Sequence, residues 1–143
     1  MRSLIDEERA RIAPVRRLPF EILGEIICYC ALHPDATPKT IRTISAVSRT
    51  WRQTAFNTPR AWTKIQLCCG GPDGVFSGGL SLPDAREWFS RSGACRKDVS
   101  IIGDATIDSS LLCEQLELVQ KHSDTLRSLA LLFGKPKIGR AHV

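Results

Sequence analysis

Six cysteines and three histidines are the residues of this chain whose types could bind a metal ion or support thiol chemistry. Structural zinc sites pair a Cys-x2–4-Cys unit with a second such unit or with histidines. Here one residue separates Cys28 from Cys30, and Cys68 is adjacent to Cys69. Because neither spacing fits a zinc site, we expect no metal ion and no cofactor. The pattern favours reduced thiols that serve as small apolar side chains.

Patterns that support catalysis are also missing from the sequence. The glycine-rich stretch at residues 69–79 lacks the Lys-Ser/Thr pair that completes a phosphate-binding loop. The three histidines provide few candidate bases for a nucleophile, and no pair of acids has a spacing that suggests general acid–base catalysis. We therefore predict that the chain is not an enzyme. A cysteine hydrolase that uses Cys95 or Cys113 stays open as an alternative.

The composition is that of an ordinary globular protein. The 143 residues are 43% hydrophobic and 24% charged. The net charge is +5, but three of the positive side chains lie in the last nine residues, so charge alone gives little support to nucleic-acid binding. The sequence has no run of 18 apolar residues and no signal peptide at its start. We expect no membrane span and a location in the cytoplasm, the nucleus or both.

Apolar residues at helical spacing predict that the first half of the chain is helical. One helix begins at Pro19 and ends near His33, a second runs from about Lys39 to Phe56, and a short turn or helix begins at Pro59. Proline is well placed at the first position of a helix, where its missing N–H group costs nothing. Three helical segments are therefore expected within residues 14–62.

The second half of the chain is predicted to alternate between strands and helices. Strands are expected around Ile65, Val99 and Leu129, which recur every 30 to 34 residues, and helices are expected at residues 83–91 and 111–122. This order suits parallel strands joined by right-handed helical crossovers, as in a leucine-rich-repeat-like solenoid. Residues 63–137 are therefore expected to be the start of such an α/β array.

The two ends of the chain are assigned separately. Residues 1–13 are charged and favour a helical or coiled segment, which Pro14 would stop. Residues 138–143 (IGRAHV) match a translation that resembles a common sequencing adapter. We therefore expect this tail to be an artefact and the natural protein to continue beyond Lys137.

Three sequence blocks in the first half resemble the F-box family, in the form found in basidiomycete fungi. They are residues 14–26 (PVRRLPFEILGEI), 44–52 (ISAVSRTWR) and 58–65 (TPRAWTKI), in the order and spacing of that family. The resemblance implies a three-helix F-box. Together with the pattern of the second half, the expected fold class is mainly α, with a three-helix F-box followed by the start of an α/β leucine-rich-repeat-like solenoid.

The resemblance also implies a function and a binding site. F-box proteins are substrate-recognition adaptors of SCF-type cullin-RING ubiquitin ligases, and they bind the Skp-type linker subunit. A motif of about 45 residues is too small to bury its apolar surface alone, which agrees with a need for a partner. The protein substrate of such an adaptor is not indicated by the sequence. The residues that match the family's linker-contact positions are Leu18, Pro19, Ile22, Leu23, Ile26, Val47 and Trp51.

Simpler roles for these residues stay open beside the family interpretation. The Ile/Leu stripe of the first helix could be ordinary helix core, and Trp51 could be a core aromatic residue. A second functional alternative is a small basic helix–turn–helix module that binds nucleic acid through Arg42, Arg49 and Arg52. The turn between its helices would be long and would contain two prolines, so this alternative is the weaker one.

Overall fold

The computed structural model describes residues 14–69, 79–103 and 108–133. Within these ranges the chain forms five α-helices, three β-strands and three short 3-10 turns. The helices are α1 (Phe20–Ala31), α2 (Pro38–Ser45), α3 (Arg49–Phe56), α4 (Leu82–Ser92) and α5 (Ser109–Lys121). The strands are β1 (Lys64–Cys68), β2 (Lys97–Gly103) and β3 (Leu126–Phe133), and the 3-10 turns are Pro14–Arg17, Pro59–Trp62 and Ser123–Thr125.

The three strands form one parallel sheet in the order β1-β2-β3. Ile65 lies opposite Val99, and Val99 lies opposite Leu129, so the recurring positions of the sequence form one row across the sheet. Parallel neighbours need a crossover connection, and the described parts of the two connections contain α4 and α5 respectively. The strand positions and the parallel pairing predicted from the sequence are therefore confirmed.

The predicted fold class, mainly α with a three-helix F-box followed by the start of a solenoid, is wrong. The structure is α/β, with five helices and a small three-stranded parallel sheet in the described part of the chain. The physical reason is that both halves bury their apolar side chains in a single core. Ile27 of α1, Trp62 of the 3-10 turn, Ile65 of β1 and Trp88 of α4 belong to the same buried cluster.

The helix predicted from Lys39 to Phe56 is two helices in the structure, α2 and α3. Ser48 has an extended backbone and its hydroxyl accepts a hydrogen bond from the Trp51 amide at 3.2 Å, which is the arrangement of a helix N-cap. Helix α2 begins with a capping box between Thr37 and Thr40. The apolar periodicity continues through the break, which is why it suggested one helix.

Polar contacts join the helical first half to the sheet and to α4. The Lys64 ammonium of β1 donates to the backbone carbonyls of His33, Pro34 and Ala36, at 2.8, 3.1 and 2.8 Å. A second contact joins α4 to α3, where the Arg91 guanidinium lies 3.8 Å from the centre of the Phe56 ring. These contacts tie the α1–α2 loop to β1 and the end of α3 to α4.

Three sequence predictions lie outside the described residues. They are the helical or coiled segment at residues 1–13, most of the glycine-rich stretch at residues 69–79 (its residues 70–78) and the adapter-like tail at residues 138–143. The division of the chain into an F-box at residues 14–62 and a repeat region that begins at residue 63 stays a prediction. Among the helices that the structure describes, none has the length and apolar character needed to cross a membrane.

The His122 ring at the end of α5 stacks on Phe89 of α4, with 4.5 Å between ring centroids. Burial lowers the pKa of His122 below its ordinary value of 6.5, and the positive charges of Lys97 and Lys121 act in the same direction, against a weaker opposite effect of Asp124. Between pH 6.5 and the lowered folded-state pKa, the unfolded chain binds more protons than the folded chain. We therefore expect the melting temperature to fall as the pH drops through this window. Below the window His122 is protonated in both states, so its contribution to stability no longer changes with pH.

Replacing His122 by glutamine tests this prediction. The difference in melting temperature between wild type and His122→Gln should shrink as the pH falls below 6.5. A constant difference for His122→Gln across this range would contradict the prediction.

Candidate partner-binding surface

Helix α1 has one face in the core and one face in solvent. Leu23 and Ile27 are 2% and 0% exposed and pack in the core cluster. Ile22, Ile26 and Tyr29 are 48%, 38% and 77% exposed. Their spacing of four and three residues places these three side chains on adjacent turns of one helix face. The outward face of α1, defined by Ile22, Ile26 and Tyr29, is therefore an apolar surface without cover in the described part of the chain.

The residues before α1 set where this face begins. Pro19 is exposed and has an extended backbone (φ −59°, ψ 151°), and its carbonyl accepts the first helical hydrogen bond from the Leu23 amide at 3.0 Å. Leu18 is half-buried. Phe20, the first residue of the helix, is 64% exposed. The helix therefore starts next to further exposed apolar surface.

The two predicted contact residues in the second sequence block have different environments. Val47 lies in the turn between α2 and α3 and is 59% exposed. Trp51 is half-buried and packs against the core cluster, in agreement with the core role considered for it. The structure therefore places Pro19, Ile22, Ile26 and Val47 on the surface, Leu18 and Trp51 half-buried, and Leu23 inside.

An open groove runs along the outward face of α1. It has a volume of about 800 Å³, and its apolar lining includes Ile22, Ile26, Tyr29 and Leu32. Val47 does not line this groove. A second groove of about 630 Å³ is lined by Phe20 and the start of α1 on one side and by residues 57–60 on the other. The structure thus brings Ile22 and Ile26 together in one groove and leaves Val47 apart from them.

An ion pair between Arg60 and Glu25 lies at the border of the two grooves and lines both of them. The guanidinium donates to both carboxylate oxygens at 2.8 Å, and this hydrogen bonding raises the pKa of Arg60. Nearby, burial raises the pKa of the Cys28 thiol, with the positive charge of Arg60 acting in the opposite direction. The groove along the outward face of α1 therefore has an apolar lining, with the hydrogen-bonded Arg60–Glu25 ion pair at its border.

Two residues of this surface were missed in the sequence analysis, namely Phe20 and Tyr29. The available signal was the width of the stripe from Ile22 to Cys30, which covers both sides of the helix. A core-facing helix buries a stripe little wider than 100°. Part of that stripe therefore had to face outward, and Tyr29 continues the part that contains Ile22 and Ile26.

The arginines of the nucleic-acid alternative make contacts within the chain. Arg42 donates to Asp84 at 2.6 Å and its guanidinium lies 5.4 Å from the centre of the Trp88 ring. The Arg52 Nε atom donates to the Ser45 carbonyl at 3.2 Å. Arg49 is exposed at the start of α3. Two of the three side chains therefore hold elements of this fold together, which gives no support to a recognition helix.

The cysteines of the hydrolase alternative lie in different segments of the chain. Cys95 is half-buried between α4 and β2, and Cys113 is exposed on α5. Cys28, Cys30, Cys95 and Cys113 are free thiols. Within residues 14–69, 79–103 and 108–133, no group of three or more His, Cys, Asp or Glu side chains has an arrangement that could hold a metal ion.

Comparisons with known proteins do not assign the chain to a family. No family model matches the sequence, and no match was found among the curated proteins or the solved structures.

Proposed function

We propose that this chain is a non-catalytic adaptor that binds the Skp-type linker of an SCF-type ubiquitin ligase through the outward face of α1. The observation that carries the proposal is the exposure of Ile22 and Ile26 along one groove. These side chains lie in the block of sequence that resembles the linker-binding motif of F-box proteins. An amphipathic helix that leaves such a row in solvent is suited to a partner with a complementary apolar surface.

The function of such an adaptor is proximity. It holds a bound protein target near a ubiquitin-charged enzyme and so raises the effective concentration of the target, without a chemical step of its own. The ligase would place the protein in the cytoplasm or the nucleus. The surfaces outside residues 18–62 are then available for recruitment of the target protein.

Aspartate substitution on the outward face of α1 tests the proposal. Ile22→Asp combined with Ile26→Asp should weaken binding to a Skp-type linker by roughly 1,000-fold, because each residue would be a central apolar anchor worth about 2 kcal/mol. Binding of the purified chains is measured by isothermal titration calorimetry. The matched control is Leu116→Asp on α5, since Leu116 is 37% exposed and Ile26 is 38% exposed.

The results have clear consequences for the proposal. Loss of binding in the double variant and retention in Leu116→Asp would support it, provided that both variants keep the wild-type circular dichroism spectrum. The proposal would be refuted by wild-type protein that does not bind the linker. It would also be refuted by a folded double variant that binds as tightly as the wild type.

A further inference from the structure

A cleft of about 300 Å³ is lined by residues of α2, α3 and α4. Three aromatic side chains line it, of which Trp62 and Trp88 are buried and Phe56 is exposed. Two basic residues from the helical first half and two acidic residues from α4 also line it, namely Arg42, Arg52, Asp84 and Glu87. The cleft shares no lining residue with the groove along the outward face of α1, so it is a separate feature of the surface.

The two acids of the cleft already have basic partners within the fold. Asp84 accepts a hydrogen bond from Nη2 of Arg42 at 2.6 Å. Glu87 accepts from Arg91, one turn further along α4, at 2.9 Å from Nε and 2.8 Å from Nη2. The negative charges on the α4 side of the cleft are therefore balanced by two arginines of the same chain.

Arg52 is the basic residue of the cleft whose charge is not balanced in this way. Its Nε atom donates to the Ser45 carbonyl at 3.2 Å, which orients the guanidinium. In the part of the chain that the structure describes, Arg52 forms no ion pair and its two terminal nitrogens make no hydrogen bond. A guanidinium presents its donors as a rigid planar fork that matches a carboxylate. Arg52 therefore keeps oriented donors for an anionic group of a partner.

The positive charge continues beyond the cleft along both helices. Lys39 precedes Arg42 by three residues on α2, and Arg49 precedes Arg52 by three residues on α3, so each pair lies on one helix face. Lys39 and Arg49 are exposed and form no ion pair within the described ranges. The basic patch, defined by Lys39, Arg42, Arg49 and Arg52, thus carries three cations that have no acidic partner among the described residues.

We propose that the basic patch and its cleft bind an acidic peptide segment of a partner protein. One carboxylate of the segment pairs with Arg52, and further carboxylates pair with Lys39 and Arg49. An apolar side chain of the segment packs on the exposed ring of Phe56. Pairs between a guanidinium and a carboxylate are among the stronger hydrogen-bonded contacts in proteins. The site uses no residue of the outward face of α1, so it does not depend on linker binding.

The distribution of charge favours a peptide over a nucleic acid. Asp84 and Glu87 lie on the α4 side of the cleft, so a backbone with a phosphate at every nucleotide would bring negative charges close to them. A peptide can place separate carboxylates at the cations and uncharged residues beside the two acids. The cations also lie on two different helices, which one small anion would not span. An acidic peptide segment satisfies both conditions.

Selection of peptides on the full chain tests the proposal. A display library of random dodecapeptides is selected on immobilised wild-type protein. We expect the enriched peptides to carry an excess of aspartate and glutamate over lysine and arginine. A selection that enriches no peptide, or one that enriches peptides without this acidic excess, would overturn the proposal.

Fluorescence anisotropy of one enriched peptide, labelled with fluorescein, then tests the site. Arg52→Glu should weaken binding roughly 10-fold or more, because it removes a charge-assisted pair and adds a repulsion. Lys39→Glu combined with Arg49→Glu should also weaken binding. It removes no ion pair of the described structure, so it serves even if Arg52→Glu unfolds. Arg86→Glu is the matched control, since Arg86 is an exposed arginine of α4 outside the cleft, and it should bind as the wild type does.

The outcomes separate this site from the linker-binding face and from nucleic-acid binding. Ile22→Asp combined with Ile26→Asp should keep the wild-type affinity for the peptide, so the two proposals can fail independently. Circular dichroism checks that each variant is folded. Unchanged affinity in the folded patch variants, or an equal loss in Arg86→Glu or in the α1 double variant, would overturn the site. A DNA duplex that displaces the labelled peptide at a lower concentration than the unlabelled peptide does would overturn the choice of a peptide.

Discussion

Replacing Trp62 by alanine is expected to lower the free energy of unfolding by about 3–5 kcal/mol, as truncation of a buried aromatic side chain does. Trp62 is 3% exposed, and its ring lies edge-on to Trp88 with 4.6 Å between centroids. Its indole N–H donates to the Ala55 carbonyl at 2.7 Å. The substitution therefore removes the packing between α3 and α4. It also removes one donor from the Ala55 carbonyl, which still accepts a hydrogen bond from the Thr58 amide at 3.2 Å.

Urea unfolding followed by far-ultraviolet circular dichroism measures this effect, because tryptophan fluorescence would change with the substitution itself. Trp62→Phe is the informative partner variant. It keeps an aromatic ring beside Trp88 but loses the hydrogen bond to Ala55, so its cost should be smaller, about 1–3 kcal/mol. Trp51→Ala, at a half-buried position, should also cost less than Trp62→Ala. A loss below about 1 kcal/mol for Trp62→Ala would contradict this account of the core.

The shared core also predicts how many transitions the urea unfolding curve should show. Because Trp62 joins the helical first half to the sheet and α4, the described elements should unfold in one cooperative transition. Two transitions in wild-type protein, one for the helices of residues 20–56 and one for the sheet, would show that the halves are separate units. Trp62→Ala should move the whole transition to lower urea concentration.

Local patterns were sufficient to predict the strands and most of the helices. Alternation and β-branched residues around Ile65 and Val99 indicate strands whatever those strands pack against. Leu129 follows Val99 at a spacing similar to that between Ile65 and Val99, which was enough to predict that these three positions lie on parallel strands. These properties depend on the chain within a few residues, and the structure confirms them.

The fold class could not be predicted in the same way, since it depends on which segments share a core. Trp62 and Trp88 are far apart in sequence, and nothing in either local pattern shows that their rings touch. The same limit explains the mixed outcome for the candidate surface. Ile22 and Leu23 are adjacent and equally apolar, yet only the packing of α1 on its neighbours decides that Ile22 faces solvent and Leu23 faces the core.

Lys97 is the clearest case of a residue whose role only the structure shows. It is fully buried, and its ammonium donates to the carbonyls of Gly93 and Cys95 at 2.6 and 2.9 Å and to the Thr125 hydroxyl at 2.9 Å. The side chain thus joins the loop after α4 to the start of β3. A buried cation is tolerated when its donors are all satisfied in this way.

Lys97→Met is expected to lower the free energy of unfolding by about 1–3 kcal/mol at pH 7, because a chain of similar length replaces the buried donor and three partly buried acceptors lose its hydrogen bonds. Lys64→Met is the matched control. Lys64 also donates to three carbonyls, but the Lys64 side chain is partly exposed, so water reaches it more easily than it reaches the buried Lys97. Urea unfolding should show a clearly larger loss for Lys97→Met, and an equal or smaller loss would contradict the role assigned to Lys97.

The stability of the same variant as a function of pH distinguishes loss of the ammonium from loss of packing, because packing loss alone would not depend on pH. Burial lowers the pKa of Lys97 below its ordinary value of 10.5, against weaker opposite effects of Cys95 and Asp124. Between the lowered folded-state pKa and pH 10.5 the unfolded chain binds more protons, so wild-type stability gains a contribution as the pH rises through that window. Methionine cannot titrate, so the variant lacks this contribution. The stability difference between wild type and Lys97→Met should therefore grow with pH in this range, and a difference that stays constant or shrinks would show that the ammonium is not held in a buried site.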